Sequence, residues 1–186
     1  MVDSKKTWRA PLAVGIVLIA LLIYETEYAP LFTLFVIPSG FLSGWLSGAW
    51  PSLTESGVTF IASGSRIEVT AACSGIVFFG LVLALGTLAT SSGRRLLKIL
   101  PLIYLFVVCT NALRILFWVG ILPILGRTLP ESFLNAGHEI AGALVYLPAL
   151  FVAHIFLRRY LVGHFDDSAT NHPATARSLT TRQNAP

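Results

Sequence analysis

An uncharged run from Thr70 to Thr90, TAACSGIVFFGLVLALGTLAT, is long and apolar enough to cross a membrane as a helix. A hydrocarbon core about 30 Å thick needs roughly 20 such residues. Similar runs recur along the chain of 186 residues, in which only 12% are charged and 55% are hydrophobic. Soluble domains carry about 25% charged residues. We therefore predict an all-α integral membrane helix bundle with about four to six transmembrane helices.

Positive charges cluster at the ends of the apolar runs, and they account for much of the formal net charge of +4. Basic clusters of this kind mark cytoplasmic loops and set the orientation of the helices during insertion. Nucleic-acid binding is not expected, because no stacking aromatic side chains interleave with the basic residues. The clusters are Lys5, Lys6 and Arg9; Arg94, Arg95 and Lys98; and Arg158 and Arg159.

The first apolar run, 11–24, lacks a small-residue cleavage site and is interpreted as a retained helix rather than a signal peptide. The next run, 31–50, is interrupted at Pro38 and diluted by glycine and serine. The charge rule requires this run to cross the membrane either twice or not at all. We favour no full crossing, with Trp45 and Trp50 as interfacial anchors, over two short crossings.

Residues 57–69 alternate between apolar and polar side chains on either side of a Ser-Gly-Ser turn signal. This pattern predicts a short extracytoplasmic β-hairpin just ahead of Cys73. Two further helices are expected, one from about residue 96 and one over about 135–157. Residues 1–162 are thus predicted to form one membrane-embedded domain, and the polar segment 163–186 is predicted to be a disordered cytoplasmic tail.

Three separate helices place reactive side chains at one predicted level. Cys73 lies at the outer end of its helix, and His138 lies in the first turn of the last one. Arg114 stands roughly 24 Å above the inner surface at 1.5 Å per residue counted from Lys98. A guanidinium inside an apolar helix costs about 2.5–3.5 kcal/mol on insertion scales, so an intramembrane arginine is by default a functional hypothesis.

A thiol, a guanidinium and an imidazole together suit acyl transfer on a peptide bond. The N–H groups of a helix N-terminus favour the thiolate of Cys73, which is its nucleophilic form. His138 can take the thiol proton and return it to a leaving amine. Arg114 can stabilise an oxyanion or bind a substrate carboxylate. Gly75 permits close backbone approach, and Ser74 offers a hydrogen bond.

Each of these residues also has a simpler interpretation when it is taken alone. Cys73 can be a small buried hydrophobe, and His138 can cap a helix or face water. Glu68 and Glu139 can orient His138 or Arg114, although solvated interfacial charges are the more common case. Other candidates are weaker: Cys109 is expected to pack within its helix, and His154 lies near the opposite end. No metal-ligand spacing is present, and no cofactor is expected.

Three short motifs carry a resemblance to a known family: AACSGI at 71–76, NALRI at 111–115 and GHEIAG at 137–142. Together they resemble the exosortase/archaeosortase family, as does the hairpin-like stretch before the cysteine. The resemblance implies a membrane cysteine transpeptidase with Cys73 as nucleophile, Arg114 as charge stabiliser and His138 as acid/base. Asn111, in the N-x-x-R element, joins the predicted substrate-binding set of Ser74, Gly75, Glu68 and Glu139.

The same resemblance implies the partners and the location. Substrates are expected to be exported proteins whose C-terminal sorting signal consists of a short motif, an apolar helix and a basic cluster. The enzyme is expected in the bacterial or archaeal cytoplasmic membrane, among membrane lipids, with its active site facing outward. After cleavage, the acyl chain is expected to pass to a glycan or lipid acceptor at the cell surface.

Two alternatives stay open at this point. The chain can be a non-catalytic assembly factor or transporter subunit, in which Arg114 pairs structurally with Glu68 or Glu139. Transport, however, favours polar residues spread through the bilayer midplane, whereas here they gather toward one face. The chain can also be a membrane protease that releases its product to water, because the residues do not separate hydrolysis from transfer.

Overall fold

The computed structural model describes residues 8–26, 29–90, 93–125 and 131–163, without the side chains of residues 29, 125, 131–136, 138, 162 and 163. This part of the chain is mostly helical, with a small antiparallel sheet inserted between the second and third helices. The helices are α1 (Arg9–Glu25), α2 (Ala29–Leu46), α3 (Ile76–Ala89), α4 (Gly93–Leu125) and α5 (Glu131–Gly163). The strands are β1 (Ser52–Thr54), β2 (Gly57–Ala62) and β3 (Ser65–Val69), followed by a 3-10 turn at Ala71–Cys73.

Three stretches within the described residues are long and apolar enough to cross a membrane: Ala71–Ala89, Gly93–Ile124 and Glu139–Leu161. α1 and α2 meet at a bend of 85°. They are long and apolar enough to cross a membrane only when they are taken together, as one broken span or a re-entrant loop. The number of spans is therefore three, or four when the bent pair is one span. The predicted membrane helix bundle is confirmed, and the three or four candidate spans among the described residues lie at or just below the lower limit of the predicted four to six.

Large apolar side chains remain exposed along the helices, as expected of surfaces that face lipid tails. Leu22 on α1 is 63% exposed and Phe151 on α5 is 67% exposed. Trp45 and Trp50, predicted as interfacial anchors of the run 31–50, are 59% and 87% exposed. The fully buried core is small by comparison and includes Val58, Val69, Val82, Val107 and Leu157.

The predicted β-hairpin over residues 57–69 is confirmed as β2 and β3, which pair antiparallel from Val58 with Val69 to Ala62 with Ser65. Its turn residues, Ser63 and Gly64, have φ angles of +53° and +77°. Two central residues with positive φ are typical of the two-residue turns whose twist matches that of the strands. The sequence interpretation missed β1, which pairs with β2 through a short turn and makes the sheet three-stranded.

α2 is joined to α4 through two buried serines one turn apart. The Ser43 hydroxyl lies 3.3 Å from the carbonyl of Ala112 and 2.7 Å from that of Ser39. The hydroxyl of Ser39 approaches the carbonyl of Val108 at 3.5 Å. Small polar residues of this kind let helix backbones approach closely in membranes. The contact fixes the segment of α4 just before Arg114.

α1 lies along α3, and a glycine sets their separation. A Cβ atom added at Gly80 of α3 would lie 2.5 Å from the Cβ of Ala20 on α1. Real Cβ atoms do not approach this closely, so the two helices pack at a distance that only glycine allows. Small residues at such positions are typical of membrane helix pairs.

The predicted disordered tail, residues 163–186, lies outside the described residues except for Gly163. The last helix is longer than the predicted 135–157 and ends at Gly163.

Gly80→Leu should separate α1 from α3, because the new side chain has no room against Ala20. Overpacking costs about 1–3 kcal/mol, which lowers the melting temperature of a domain this size on the order of 5 °C. Thermal unfolding in detergent measures the effect. Gly120→Leu is the matched control, because a Cβ at Gly120 meets nothing within 4 Å. Equal melting temperatures for the two variants would contradict the close packing.

Candidate functional site

Cys73 lies in the short connection between the sheet and α3. It ends the 3-10 turn Ala71–Cys73, and its N–H donates to the carbonyl of Thr70 at 2.9 Å. The sequence predicts Cys73 within the first turn of a helix, whereas α3 begins three residues later, at Ile76. The cause is Gly75, whose φ of +70° is left-handed and breaks the helical path. The thiol side chain is 9% exposed.

Asn111 of α4 holds this connection from the side. Its side-chain Nδ2 donates a hydrogen bond to the carbonyl oxygen of Cys73. Its Oδ1 accepts from the hydroxyl of Tyr146 on α5 at 2.7 Å. Asn111 is 0% exposed, so both ends of its amide are used within the protein. One side chain thereby ties the cysteine-bearing turn to two helices.

Arg114 lies one turn after Asn111 on the same face of α4. Its Nη1 donates to the Tyr146 hydroxyl at 3.3 Å, and its Cζ lies 5.2 Å from the centre of the Tyr146 ring. Only 8% of Arg114 is exposed. Hydrogen bonds therefore run in one direction, from Arg114 to Tyr146, to Asn111, and to the backbone of Cys73. Such chains polarise one another, and they are strongest where water is excluded.

Tyr146 is itself held by packing. Its ring stacks on Phe78 of α3, with centroids 4.5 Å apart and planes 10° from parallel. Offset aromatic pairs of this kind contribute about 0.5–1.5 kcal/mol beyond the area that they bury. Because Phe78 follows the cysteine turn directly on α3, the stack fixes α5 against the element that carries Cys73.

Two glycines make room for these polar side chains. A Cβ at Gly75 would meet Cγ of Asn111 at 3.2 Å, and a Cβ at Gly142 would meet Nε of Arg114 at 2.8 Å. Gly142 lies on α5, one turn before Tyr146. The glycine surface of α5 therefore packs directly on the guanidinium.

A cleft of about 170 Å³ opens beside the polar network. Arg114, Tyr146 and Gly75 line it, together with Tyr24 near the end of α1 and the exposed Ala72 of the cysteine turn. Four separate parts of the chain thus meet at one opening.

The third predicted reactive residue, His138, lies on α5 one turn before Gly142. Its backbone is therefore about 6 Å along the helix from the glycine that contacts Arg114. Its side chain lies outside the described residues. Its predicted acid/base role stays a prediction.

The remaining predicted residues divide between the network, the sheet and the surface. Ser74 is 0% exposed, and its Oγ lies 3.5 Å from the N–H of Ile76 at the start of α3. Glu68 lies on β3, where its carboxylate accepts a hydrogen bond from the Ser56 hydroxyl. Glu139 is exposed on α5. Substrate contacts by Ser74, Gly75, Asn111, Glu68 and Glu139 stay predictions.

Other sequence candidates lie away from the cleft or form no site. Cys109 and His154 are exposed on α4 and α5. The two cysteines are not joined in a disulfide. No group of histidine, cysteine or carboxylate side chains able to hold a metal is present among the described residues.

The sequence interpretation missed Tyr146 and the role of Gly142. A tyrosine within an apolar helix is usually a packing residue, so its type alone gives no functional signal. The spacing of the two residues does carry a signal, because Gly142 and Tyr146 lie four and eight residues after His138 and so share its face of α5.

One of three comparisons with known proteins found a match. The sequence profile of the transmembrane exosortase family matches residues 2–155, which include every element of the network and the cleft. Comparison with the curated proteins and with the solved structures gave no match.

Asn111→Leu should release the cysteine turn, because it removes both side-chain hydrogen bonds and strands two buried polar groups. A loss of about 1.4 kcal/mol in the local stability of this turn raises the fraction of molecules in which the turn is open about tenfold. The measurement is the alkylation rate of Cys73 by iodoacetamide in a Cys109→Ala background, which should rise by about that factor. The neighbouring, exposed Leu113→Ala is the control and should leave the rate unchanged. An unchanged rate in Asn111→Leu would show that the turn is held by other contacts.

Proposed function

The chain belongs to the transmembrane exosortase family, and we propose that it is a membrane cysteine peptidase and transpeptidase with Cys73 as its nucleophile. The observation that carries the proposal is the directed chain of hydrogen bonds from the buried Arg114 to the backbone of Cys73. It joins the backbone of the buried Cys73 to a cation that lines a cleft together with Ala72 and Gly75, which flank the cysteine.

The first step forms an acyl-enzyme. The Cys73 thiolate attacks the scissile carbonyl carbon, and a new C–S bond forms while the carbonyl electrons move to oxygen. Arg114 stabilises that oxyanion, which is the role of a fixed donor in a site that excludes water. The intermediate then collapses, the C–N bond breaks, and the protonated imidazole of His138 gives its proton to the departing amine.

The second step passes the acyl group on. A hydroxyl or amine of the acceptor attacks the thioester and gives its proton to the neutral His138 imidazole. The C–S bond breaks, and the thiolate of Cys73 is restored. When water is the acceptor, the outcome is hydrolysis; when a surface glycan or lipid is the acceptor, the outcome is transfer.

The expected substrates are exported proteins that end in a sorting signal of a short motif, an apolar helix and a basic cluster. Three or four apolar spans support a location in a membrane. We place the enzyme in the bacterial or archaeal cytoplasmic membrane, with the cleft facing outward. The reason is that basic clusters lie at the beginning of α1 and α4 and near the end of α5, which are the ends expected in the cytoplasm. An apolar substrate helix would then lie in the same bilayer as the enzyme.

A structural role for Arg114 is the competing function. Arg114 contacts Tyr146 and Gly142, while Glu68 is engaged by Ser56 and Glu139 is exposed. The Cys73→Ala variant separates this alternative from the enzyme.

Cys73→Ala should abolish cleavage of a reporter, an exported protein that ends in a candidate sorting signal from the same genome. The variant should still insert at the wild-type level, because the thiol contributes little packing area. Gel mobility of the reporter measures cleavage. Cys109→Ala is the matched control and should cleave normally, since that cysteine is exposed on α4. Cleavage by Cys73→Ala at the normal rate would remove the enzyme hypothesis.

Gly142→Ala should displace the guanidinium, because the added methyl group overlaps Nε of Arg114. Misplacement of a group on this scale lowers the rate on the order of 100-fold. Alanine is also a better helix former than glycine, so the substitution should not lower the stability of α5 through helix propensity. The measurements are reporter cleavage and thermal unfolding, with Gly120→Ala as control. Normal cleavage by Gly142→Ala would argue against a role for the position of Arg114.

A further inference from the structure

The outer edge of β3, the side away from β2, leads directly into the cysteine turn. β3 is an edge strand, because the sheet order is β1-β2-β3. Only Thr70 separates its last residue, Val69, from the 3-10 turn. Thr70 continues the extended path, with φ of −107° and ψ of −176°. The strand and the turn therefore form one backbone path toward Cys73.

The pairing register fixes which backbone groups face this edge. Ala62 and Ser65 flank a two-residue turn and therefore form a hydrogen-bonded pair. Because such pairs alternate along an antiparallel ladder, Phe60 and Ile67 form the next one. The alternate residues of β3, Arg66 and Glu68, consequently direct their N–H and C=O groups away from β2. The pairing of β1 with β2 agrees with this alternation. It uses the backbone groups of Gly57 and Thr59, which are the residues of β2 whose N–H and C=O groups face away from β3.

The side chain of Glu68 does not cover the outer edge of β3. Its carboxylate accepts a hydrogen bond from Ser56, which lies in the turn between β1 and β2. The side chain therefore crosses the sheet face, away from the outer edge. Within the described part of the chain, the element in extensive contact with β3 is β2. Edge strands are normally blunted or covered because they offer a template for another strand.

We propose that the outer edge of β3 binds the extended segment of the substrate next to the scissile bond, which adds to the sheet as a fourth strand. This inference rests on the proposed function and names how that site takes its substrate. Strand addition gives affinity through main-chain hydrogen bonds, and neighbouring pockets give specificity. The distance also fits. Three residues of 3-10 helix rise about 6 Å, the length of two residues of extended peptide.

The cleft receives the end of that strand. Exposed Ala72 belongs both to the turn that follows β3 and to the lining of the cleft with Arg114. A peptide that leaves the outer edge at Thr70 therefore meets the guanidinium within the span of the turn. The opposite edge of the sheet, β1, is not continuous with the turn along the backbone, since both other strands lie between β1 and Cys73 in the chain.

Proline substitution tests the edge directly. Arg66→Pro removes an N–H that points away from β2, so it costs the sheet no ladder hydrogen bond. It should slow cleavage of the reporter on the order of tenfold, as expected for one lost hydrogen bond to the substrate. Glu68→Pro is a second variant of the same kind. The control is Leu53→Pro on β1, where the register also directs the N–H outward, at the far edge. It should cleave at the wild-type rate.

The alkylation rate of Cys73 by iodoacetamide, in a Cys109→Ala background, reports whether the turn is intact. The proposal requires this rate to be unchanged in a proline variant of β3 that cleaves slowly. Wild-type cleavage rates in both β3 variants, or an equal loss in Leu53→Pro, would overturn strand addition while leaving the proposed function standing. Cleavage that is unaffected by Cys73→Ala would instead overturn the proposed function, and this inference with it.

Discussion

The hydrogen bond from Asn111 to the carbonyl of Cys73 is the constraint on which the site depends. It ties a short irregular turn to α4, and Tyr146 extends the tie to α5. An amide with no exposure to solvent cannot exchange these partners for water. The turn is consequently held in one place although Gly75, next to it, would otherwise give the backbone much freedom.

The buried charge of Arg114 explains why side chains from α3, α4 and α5 pack together beside the cysteine turn. A guanidinium within an apolar helix is costly, and the cost falls when hydrogen-bond acceptors and aromatic ring faces are available. Tyr146 supplies an acceptor and an aromatic face, while Gly142 removes the side chain that would fill the same space. The stack of Tyr146 on Phe78 then couples the charge to α3. The charge, the turn and the helix packing are parts of one arrangement.

Much of this architecture could be predicted from the sequence, because its signals are local. Apolar runs indicate membrane helices, and the Ser-Gly-Ser punctuation indicates the hairpin that the structure contains as β2 and β3. Cys73 and Arg114 stand out as costly or reactive groups among apolar neighbours. The strand β1 was missed because three residues carry too little periodicity to be recognised.

The parts that could not be predicted depend on contacts between distant segments. Gly75 has a positive φ that starts α3 late, and no periodicity shows this. Tyr146 became significant only through its partners on α4, 32 and 35 residues earlier. The serine contacts between α2 and α4 are likewise invisible without the packed helices.

The central claim is that the Cys73 sulfur becomes covalently bonded to the substrate at this cleft. Mass spectrometry of the full-length enzyme, quenched in acid during turnover of the reporter, tests it most directly. The account predicts a peptide that contains Cys73, carries the acyl portion of the reporter and loses it on treatment with hydroxylamine. Product formation without any adduct on Cys73, or with an adduct on another residue, would contradict it.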